Sequence, residues 1–382
     1  MRLIDTIRKI RKSFSGYNPS VRVLISKTNL LYNLNEYKKH YSHFLFAPVL
    51  KSNAYGHGLT EVAQILDKEK KAFFVVDSLY EAMILRNKEI KSPLLIIGYT
   101  SPNNINTCKL SHVAFTVTGL EHLEKITRTI KRKTNIHLKI DTGMHRQGIL
   151  LNQISASINI IKAHKFLSLE GICSHLADAD NPDEINTKLQ IEQWGNAIKV
   201  FKSNFKDIKY FHVSATAGAR YSDLTHSNVI RLGLGLYGIN NDPKTEIDLK
   251  PVLQLQSTIS SVKTIPIGEH VGYGFTYKTS KDTRIATIPV GYFEGVDRRL
   301  SNCGVVEIKN TFCPIVGSIS MNITSIDVSS VPEITIDEVV TIIGNNSNDP
   351  NSVLNIAKLA HTIPYEILIH IPQHLRRIIT TE

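Results

Sequence analysis

Hydrophobic positions along this chain follow two alternating periods. Short β-branched and aromatic runs stand between residues 44 and 235: FLFAPVLK, AFFVVDS, PLLIIGY, VAFTVTG, NIHLKIDTG, LSLEGICSH, YFHVSAT and NVIRLGLG. Their length and flanking turn residues predict buried strands. Between most of them apolar residues recur at three- and four-residue spacing, as in TEVAQILDKEK, SLYEAMILRNKEI, GLEHLEKITRTIKRK and NTKLQIEQWGNAIKVFKSNF. That is the period of an amphipathic helix. The link from the third run to the fourth shows no such pattern. Eight strands alternating with helices predict an α/β architecture, a (β/α)8 barrel of the TIM type.

The pattern changes at the turn-rich NNDPKTEID. From DLKPVLQLQSTISSVKTI onward strands and turns dominate, with one late helical stretch, SVLNIAKLAHTI. These shifts predict a basic extension over residues 1–20, a barrel over residues 21–246 and a mainly β C-terminal domain over residues 247–382. In the extension, Leu3, Ile7, Ile10 and Phe14 recur at helical spacing opposite Arg2, Arg8, Lys9, Arg11 and Lys12. A packed amphipathic helix is expected there; the segment is too charged for a secretory signal.

Composition narrows the function. With 42% hydrophobic and 21% charged residues and no apolar stretch near the ~20 residues of a membrane span, neither a membrane protein nor a disordered chain is expected. Cys108, Cys173, Cys303 and Cys313 form no C-x-x-C pair and no zinc spacing, which points to a reducing, cytoplasmic setting without structural metal. The net charge of +11 is dispersed, so anionic small molecules are expected as partners and nucleic acid is not.

In such a barrel the chemistry lies at the carboxyl ends of the strands. Polar residues stand at those ends: Lys51 after the first run, Lys139 and Asp141 after the fifth, His175 after the sixth, Ser214 and Thr216 after the seventh, Arg231 and Gly233 in the eighth. A lysine shielded from water loses its proton more easily and becomes a nucleophile toward carbonyls, the chemistry of a Schiff base. RLGLGLYG supplies glycines where a phosphate would approach the backbone. Its match to G-x-G-x-x-G does not indicate a dinucleotide, because turns follow it and it closes the strand series. A reactive lysine and a phosphate site on one rim suggest pyridoxal 5′-phosphate.

The motifs VLKSNAYGHG, LKIDTGMHRQG, EGICSHLADAD, GYGFTY, SMNITSID and TIPYEI together resemble those of bacterial alanine racemases, from about Val21 onward. The resemblance implies that Lys51 holds pyridoxal 5′-phosphate. Tyr55, Tyr365, a hydroxyl of Ser214 or Thr216, and the backbone at Gly233 and Leu234 would bind it, with His175 packing near the pyridine ring and bonding Arg231. Arg146 would meet the substrate carboxylate together with the Met321 N–H, and Lys139 matches a lysine that is often carbamylated. Racemisation of L- and D-alanine would use Lys51 on the D face and Tyr273 of the second subunit on the L face, in a homodimer with shared sites, supplying D-alanine for peptidoglycan. Arg231 at the ring nitrogen would discourage its protonation and so weaken the electron sink. A fold-related decarboxylase would instead need an acidic partner there and a cysteine motif. The chain departs from the family at Ser318 and Asn322, where an arginine and an aspartate are usual. Those exchanges imply a changed substrate corridor and leave room for a broad-specificity racemase acting on serine or lysine.

Overall fold

The computed structural model describes residues 18–242 and 244–381; Leu3, Ile7, Ile10 and Phe14 of the basic segment lie outside them. The described chain divides into two compact units. One comprises Ile25–Leu253 with residues 345–347 and 379–381, and the other comprises Gln254–Gly344 and residues 348–378 with residues 18–24.

The first unit is built on eight parallel strands. They are β2 (Leu45–Pro48), β3 (Phe74–Val76), β4 (Leu94–Ile96), β5 (Val113–Val117), β6 (Thr134–Lys139), β7 (Leu167–Cys173), β8 (Tyr210–His212) and β9 (Val229–Leu232), following the first strand among the described residues, β1 (Arg22–Ser26). Strands β3 to β8 form one six-stranded parallel sheet in sequential order, while β2 pairs in parallel with β9. Bonds on both sides of that pair close the barrel. Leu50 N–H donates to the Val75 carbonyl at 2.8 Å, Arg231 N–H to Ser214 at 3.1 Å and Asn228 N–H to Phe211 at 3.0 Å. FVV in β3 and LLI in β4 are buried at every position, as expected where a strand has the barrel interior on one face and helices on the other.

Serine starts several helices on the outer layer. Ser26, Ser78 and Ser101 accept from the N–H groups of Asn29, Glu81 and Asn104, capping Lys27–His40, Leu79–Asn87 and Pro102–Thr107. Pro102–Thr107 is the unclear link between the third and fourth runs, and at six residues it is too short to display a period. The link from the fifth run to the sixth carries the helix Ile154–Ala163, and a helix that the pattern did not single out, Lys27–His40, precedes the first run.

The second unit is mainly β. Its largest sheet takes the order β16 (Thr311–Pro314), β15 (Val305–Ile308), β18 (Val339–Ile343), β10 (Leu253–Thr258), β1, β19 (Arg376–Thr380). Here β1 departs from the expectation that residues from 21 onward belong to the barrel. Its alternation of half-buried and buried positions suits a sheet with one covered face better than a doubly buried barrel strand. A smaller sheet joins β11 (Ser261–Ile265), β14 (Thr283–Ile288) and β17 (Thr324–Asp327), and β12 (His270–Val271) pairs with β13 (Tyr277–Lys278). Helices Val353–Leu359 and Pro364–Ile369 complete it. Among the described residues no helix is long and apolar enough to cross a membrane.

One buried amide ties the first helix to the last turn of the barrel unit. Asn33 Oδ1 accepts from Lys250 N–H at 2.8 Å, and Nδ2 donates to the carbonyls of Lys250 at 2.8 Å and Leu236 at 3.2 Å. Asn33→Ala strands these groups away from water and should cost about 2–4 kcal/mol in urea unfolding. A loss below ~0.5 kcal/mol would show that the amide does not hold the junction.

Candidate active site

Lys51 follows β2 and opens a turn of unusual hand. Ser52, Asn53, Ala54 and Tyr55 have φ of 56°, 56°, 51° and 53°, all in the left-handed region. Each such non-glycine residue costs roughly 1 kcal/mol or more, so the surroundings must hold the turn in place. Asn53 Oδ1 accepts from Leu59 N–H at 2.9 Å, and His57 Nδ1 lies 3.1 Å and 3.0 Å from the carbonyls of Ala54 and Tyr55. Carbonyls only accept, so His57 carries its proton on Nδ1.

The turn delivers the buried Tyr55 to the strand-end loop after β9. A Cβ added to Gly233 would lie 3.1 Å from Tyr55 Oη and 3.7 Å from Thr216 Oγ1, so only glycine leaves this hollow open. Thr216 Oγ1 accepts from the N–H groups of Gly233 and Gly235, each at 3.2 Å. The two candidate hydroxyls therefore part company: Ser214 Oγ bonds Ser222 Oγ at 2.8 Å. After Gly233 the chain makes a 3-10 turn, Leu234–Tyr237, and leaves it at Gly238 with φ of 86°. Among the described residues the next regular element is a strand, Leu253–Thr258.

Arg231, in β9, is buried, and its partners come from the ends of β7 and β8. Nη1 donates to the His212 carbonyl at 2.8 Å and to His212 Nδ1 at 2.6 Å. Nη2 donates to the carbonyls of Ser174 and Val213, each at 2.8 Å, and to His175 Nδ1 at 3.0 Å. A guanidinium has no acceptor, so both histidines must present lone pairs. His212 then carries its proton on Nε2, which points at His137 Nδ1, 2.8 Å away. That fixes the His137 proton on its own Nε2. Burial, and then the charge of Arg231, push His137 down to about 3 and His212 well below the ordinary value of 6.5. His175 is also pushed to about 3 by burial, with Arg231, Lys139, Arg146 and Lys51 adding repulsion. The charges of Lys51, Lys139, Arg146 and Arg231 all act on the His175 ring. His137 and His212 escaped the strand-end reading of the sequence, and the only hint was a polar residue inside a buried run.

Lys139 ends β6, and the chain then folds back so that Ile149 N–H donates to the Lys139 carbonyl at 2.7 Å. Buried Asp141 holds this loop by accepting from Gly143 and His145 N–H, each at 3.0 Å. Gly148, at φ of 138°, is required because a Cβ would sit 2.5 Å from Asp141 N. Burial lowers the pKa of Lys139 and favours its neutral amine, with Arg146 and Arg231 acting in the same direction against Cys173 and Asp141.

Tyr273, Met321 and Tyr365 belong to the second unit. Tyr273 is 76% exposed on a turn flanked by Gly272 at φ of 75° and Gly274 at 71°. Met321 is 56% exposed, and its carbonyl accepts from Phe293 N–H at 2.9 Å. Tyr365 lies in the helix Pro364–Ile369. Ser318 Oγ meets Thr276 Oγ1 at 3.2 Å, and Asn322 Nδ2 donates to the buried Glu294 at 2.6 Å.

Family models for the alanine racemase N-terminal and C-terminal domains match residues 25–241 and 252–379. The alanine racemase of Carboxydothermus hydrogenoformans is 35% identical over 364 residues, covering 93% of this chain and 98% of the relative. The chain belongs to the alanine racemase family. Alanine racemase 1 of Caldanaerobacter subterraneus subsp. tengcongensis is 33% identical, with 96% of each chain covered. Among solved structures, the alanine racemase of Bacillus anthracis with bound L-Ala-P superposes with a TM-score of 0.88 at 27% identity, covering 96% of both chains. That of Clostridium difficile 630 gives 0.87 at 29%, covering 96% of this chain and 97% of the other. As a member of the alanine racemase family, the chain is an isomerase built on a barrel and a β domain.

The three neutral histidines tie stability to pH. Their folded pKa values lie below the unfolded value of 6.5, so the unfolded chain binds protons that the folded chain refuses. Stability is therefore complete above about pH 6.5 and falls as pH drops from there toward about 3. Near pH 5, uptake of ~3 protons corresponds to a slope of ~4 kcal/mol per pH unit. Urea unfolding at pH 7.5, 6 and 5 measures this; a flat profile would mean that these rings accept protons in the folded protein.

Proposed function

We propose that this chain interconverts L-alanine and D-alanine with pyridoxal 5′-phosphate held by the barrel. The observation that carries the reading is Lys51 on its left-handed turn, beside cationic side chains close enough to hold His175 neutral. The residues present fit the cofactor. The hollow at Gly233, which a Cβ would fill, is lined by Tyr55 Oη and Thr216 Oγ1 and suits a phosphate, with Leu234 next to it. Excess positive charge from Lys139, Arg146 and Arg231 suits the phenolate and a substrate carboxylate. Carried on Lys51 Nζ until the substrate amine displaces the lysine and frees its amine, pyridoxal 5′-phosphate would then withdraw electrons from the substrate Cα and make its hydrogen acidic.

The protein then has to move a proton between two faces of Cα. Lys51 Nζ takes or returns it on the D face, and Tyr273 Oη of a second copy of the chain does so on the L face. Arg146 and the Met321 N–H bind the carboxylate, while Tyr55, Thr216 and Tyr365 hold the phosphate; Ser214, engaged with Ser222, supports the loop. Arg231 would present a permanent positive charge to the cofactor's ring nitrogen, which would discourage its protonation and limit electron withdrawal. That restraint favours return of the proton over decarboxylation. The neutral form of Lys139 favoured by burial is the form that reacts with carbon dioxide, and a carbamate there would give Arg146 an anionic partner.

A homodimer with shared sites is supported by the apolar surface around the proposed second base. Tyr273, Phe275, Tyr292, Phe293, Met321 and Ile323 are all exposed, a cluster of a kind that usually marks an interface. A cytoplasmic supply of D-alanine for peptidoglycan is the role this activity fits. Asn322 is uncharged and committed to Glu294, and Ser318 adds only a hydroxyl, so serine and lysine are substrates to test beside alanine.

Each enantiomer of alanine, serine and lysine, incubated in heavy water with the purified protein, should be followed by polarimetry and by loss of the Cα–H signal. Exchange and racemisation with retained carboxylate are expected for alanine; carbon dioxide release would identify a decarboxylase instead. Borohydride treatment followed by peptide mapping should place the pyridoxyl group on Lys51. Mixing subunits of Lys51→Ala and Tyr273→Phe should restore about a quarter of wild-type activity, because about half the dimers are mixed and each has one intact site of two. No recovery, with heterodimers seen by mass, would refute the shared site.

A further inference from the structure

Ser78-Leu79-Tyr80-Glu81 has the spacing of a capping box, yet its glutamate is used elsewhere. Ser78 Oγ accepts from Glu81 N–H at 3.2 Å, the usual first half of the box. In the second half the carboxylate would return to the N–H of the cap residue. Here Glu81 Oε2 reaches one residue further back and accepts from Asp77 N–H at 2.7 Å. Oε1 crosses to the neighbouring strand end and accepts from Ser52 N–H at 2.7 Å, with Asn53 N–H at 3.4 Å. One side chain therefore pins the residues directly after Lys51 to the loop directly after β3.

Every contact in this arrangement asks for an acceptor. Ser52 and Asn53 begin the left-handed run, and none of its four residues is a glycine that would adopt this conformation freely. Their N–H groups open the turn and need acceptors from outside it. The Glu81 carboxylate meets both through Oε1, keeps Oε2 for Asp77 N–H, and carries no proton of its own. We propose that Glu81 is a positioning residue for Lys51, clamping the left-handed turn so that the lysine leaves β2 in one fixed direction. This rests on the reading of Lys51 as the cofactor's attachment point, while the clamp itself is a property of the protein alone.

The diagnostic substitution is Glu81→Gln, which keeps the size of the side chain but points an NH2 group at N–H donors. In the full chain freed of cofactor, amide hydrogen exchange at Ser52 and Asn53 should accelerate about tenfold, the effect of one lost hydrogen bond, with peptides outside residues 51–58 and 77–81 unchanged. The rate at which added pyridoxal 5′-phosphate becomes fixed to Lys51 by borohydride should fall by a similar factor. Ser78→Ala, which loosens the same helix without touching the turn, should leave both readings at the wild-type level. Should Glu81→Gln fail to fold, Glu81→Asp, one methylene too short to span both loops, takes its place in the same measurements. Wild-type exchange at Ser52 and Asn53 in a folded Glu81 variant would overturn the clamp. A wild-type protein that exchanges slowly there but is never labelled on Lys51 would overturn the cofactor reading and leave the clamp standing.

Discussion

A guanidinium buried, among the described residues, without a carboxylate partner is the constraint around which the barrel's working end is organised. Arg231 cannot shed its proton, and removing its charge from water is tolerable only if good acceptors surround it. The carbonyls of Ser174, His212 and Val213 and the ring nitrogens of His175 and His212 meet that demand. Satisfying it draws together the ends of β7, β8 and β9 and forces both histidines to be neutral. His137, next in line, inherits its tautomer from the same source. The positive charge of Arg231 is thus fixed in place, and neither His175 nor His212 is free to take up a competing proton.

Much of this was legible from the chain because parallel strands buried on two faces must be continuous apolar runs. FVV and LLI could hardly be anything else, and all eight such runs are barrel strands. Lys51, Lys139, His175 and Arg231 stood out because each breaks or ends such a run. Pro102–Thr107 was hidden by its shortness, and β1 by its place in the chain, ahead of the barrel strands and far from β10 and β19, its partners in the sheet.

The left-handed turn was hidden for another reason. Ser52, Asn53, Ala54 and Tyr55 carry no glycine to announce positive φ, so the hand of the turn is decided by partners far along the chain. Glu81 misled in a complementary way, since its spacing from Ser78 is a local signature whose second half is spent on a distant strand. The His137–His212 pair is likewise tertiary: two residues seventy-five positions apart share a proton direction that neither neighbourhood reveals. Local rules failed chiefly where a side chain serves a remote segment.

The grip on Arg231 also bears on how freely such a chain can drift. Three of its five acceptors are main-chain carbonyls, and substitution can replace any side chain but cannot remove a carbonyl. Only a change in the path of the strands would withdraw them. Inheritance of this site is thus partly inheritance of a backbone trace, and the letters at Ser174 and Val213 could be rewritten while the charge stays seated.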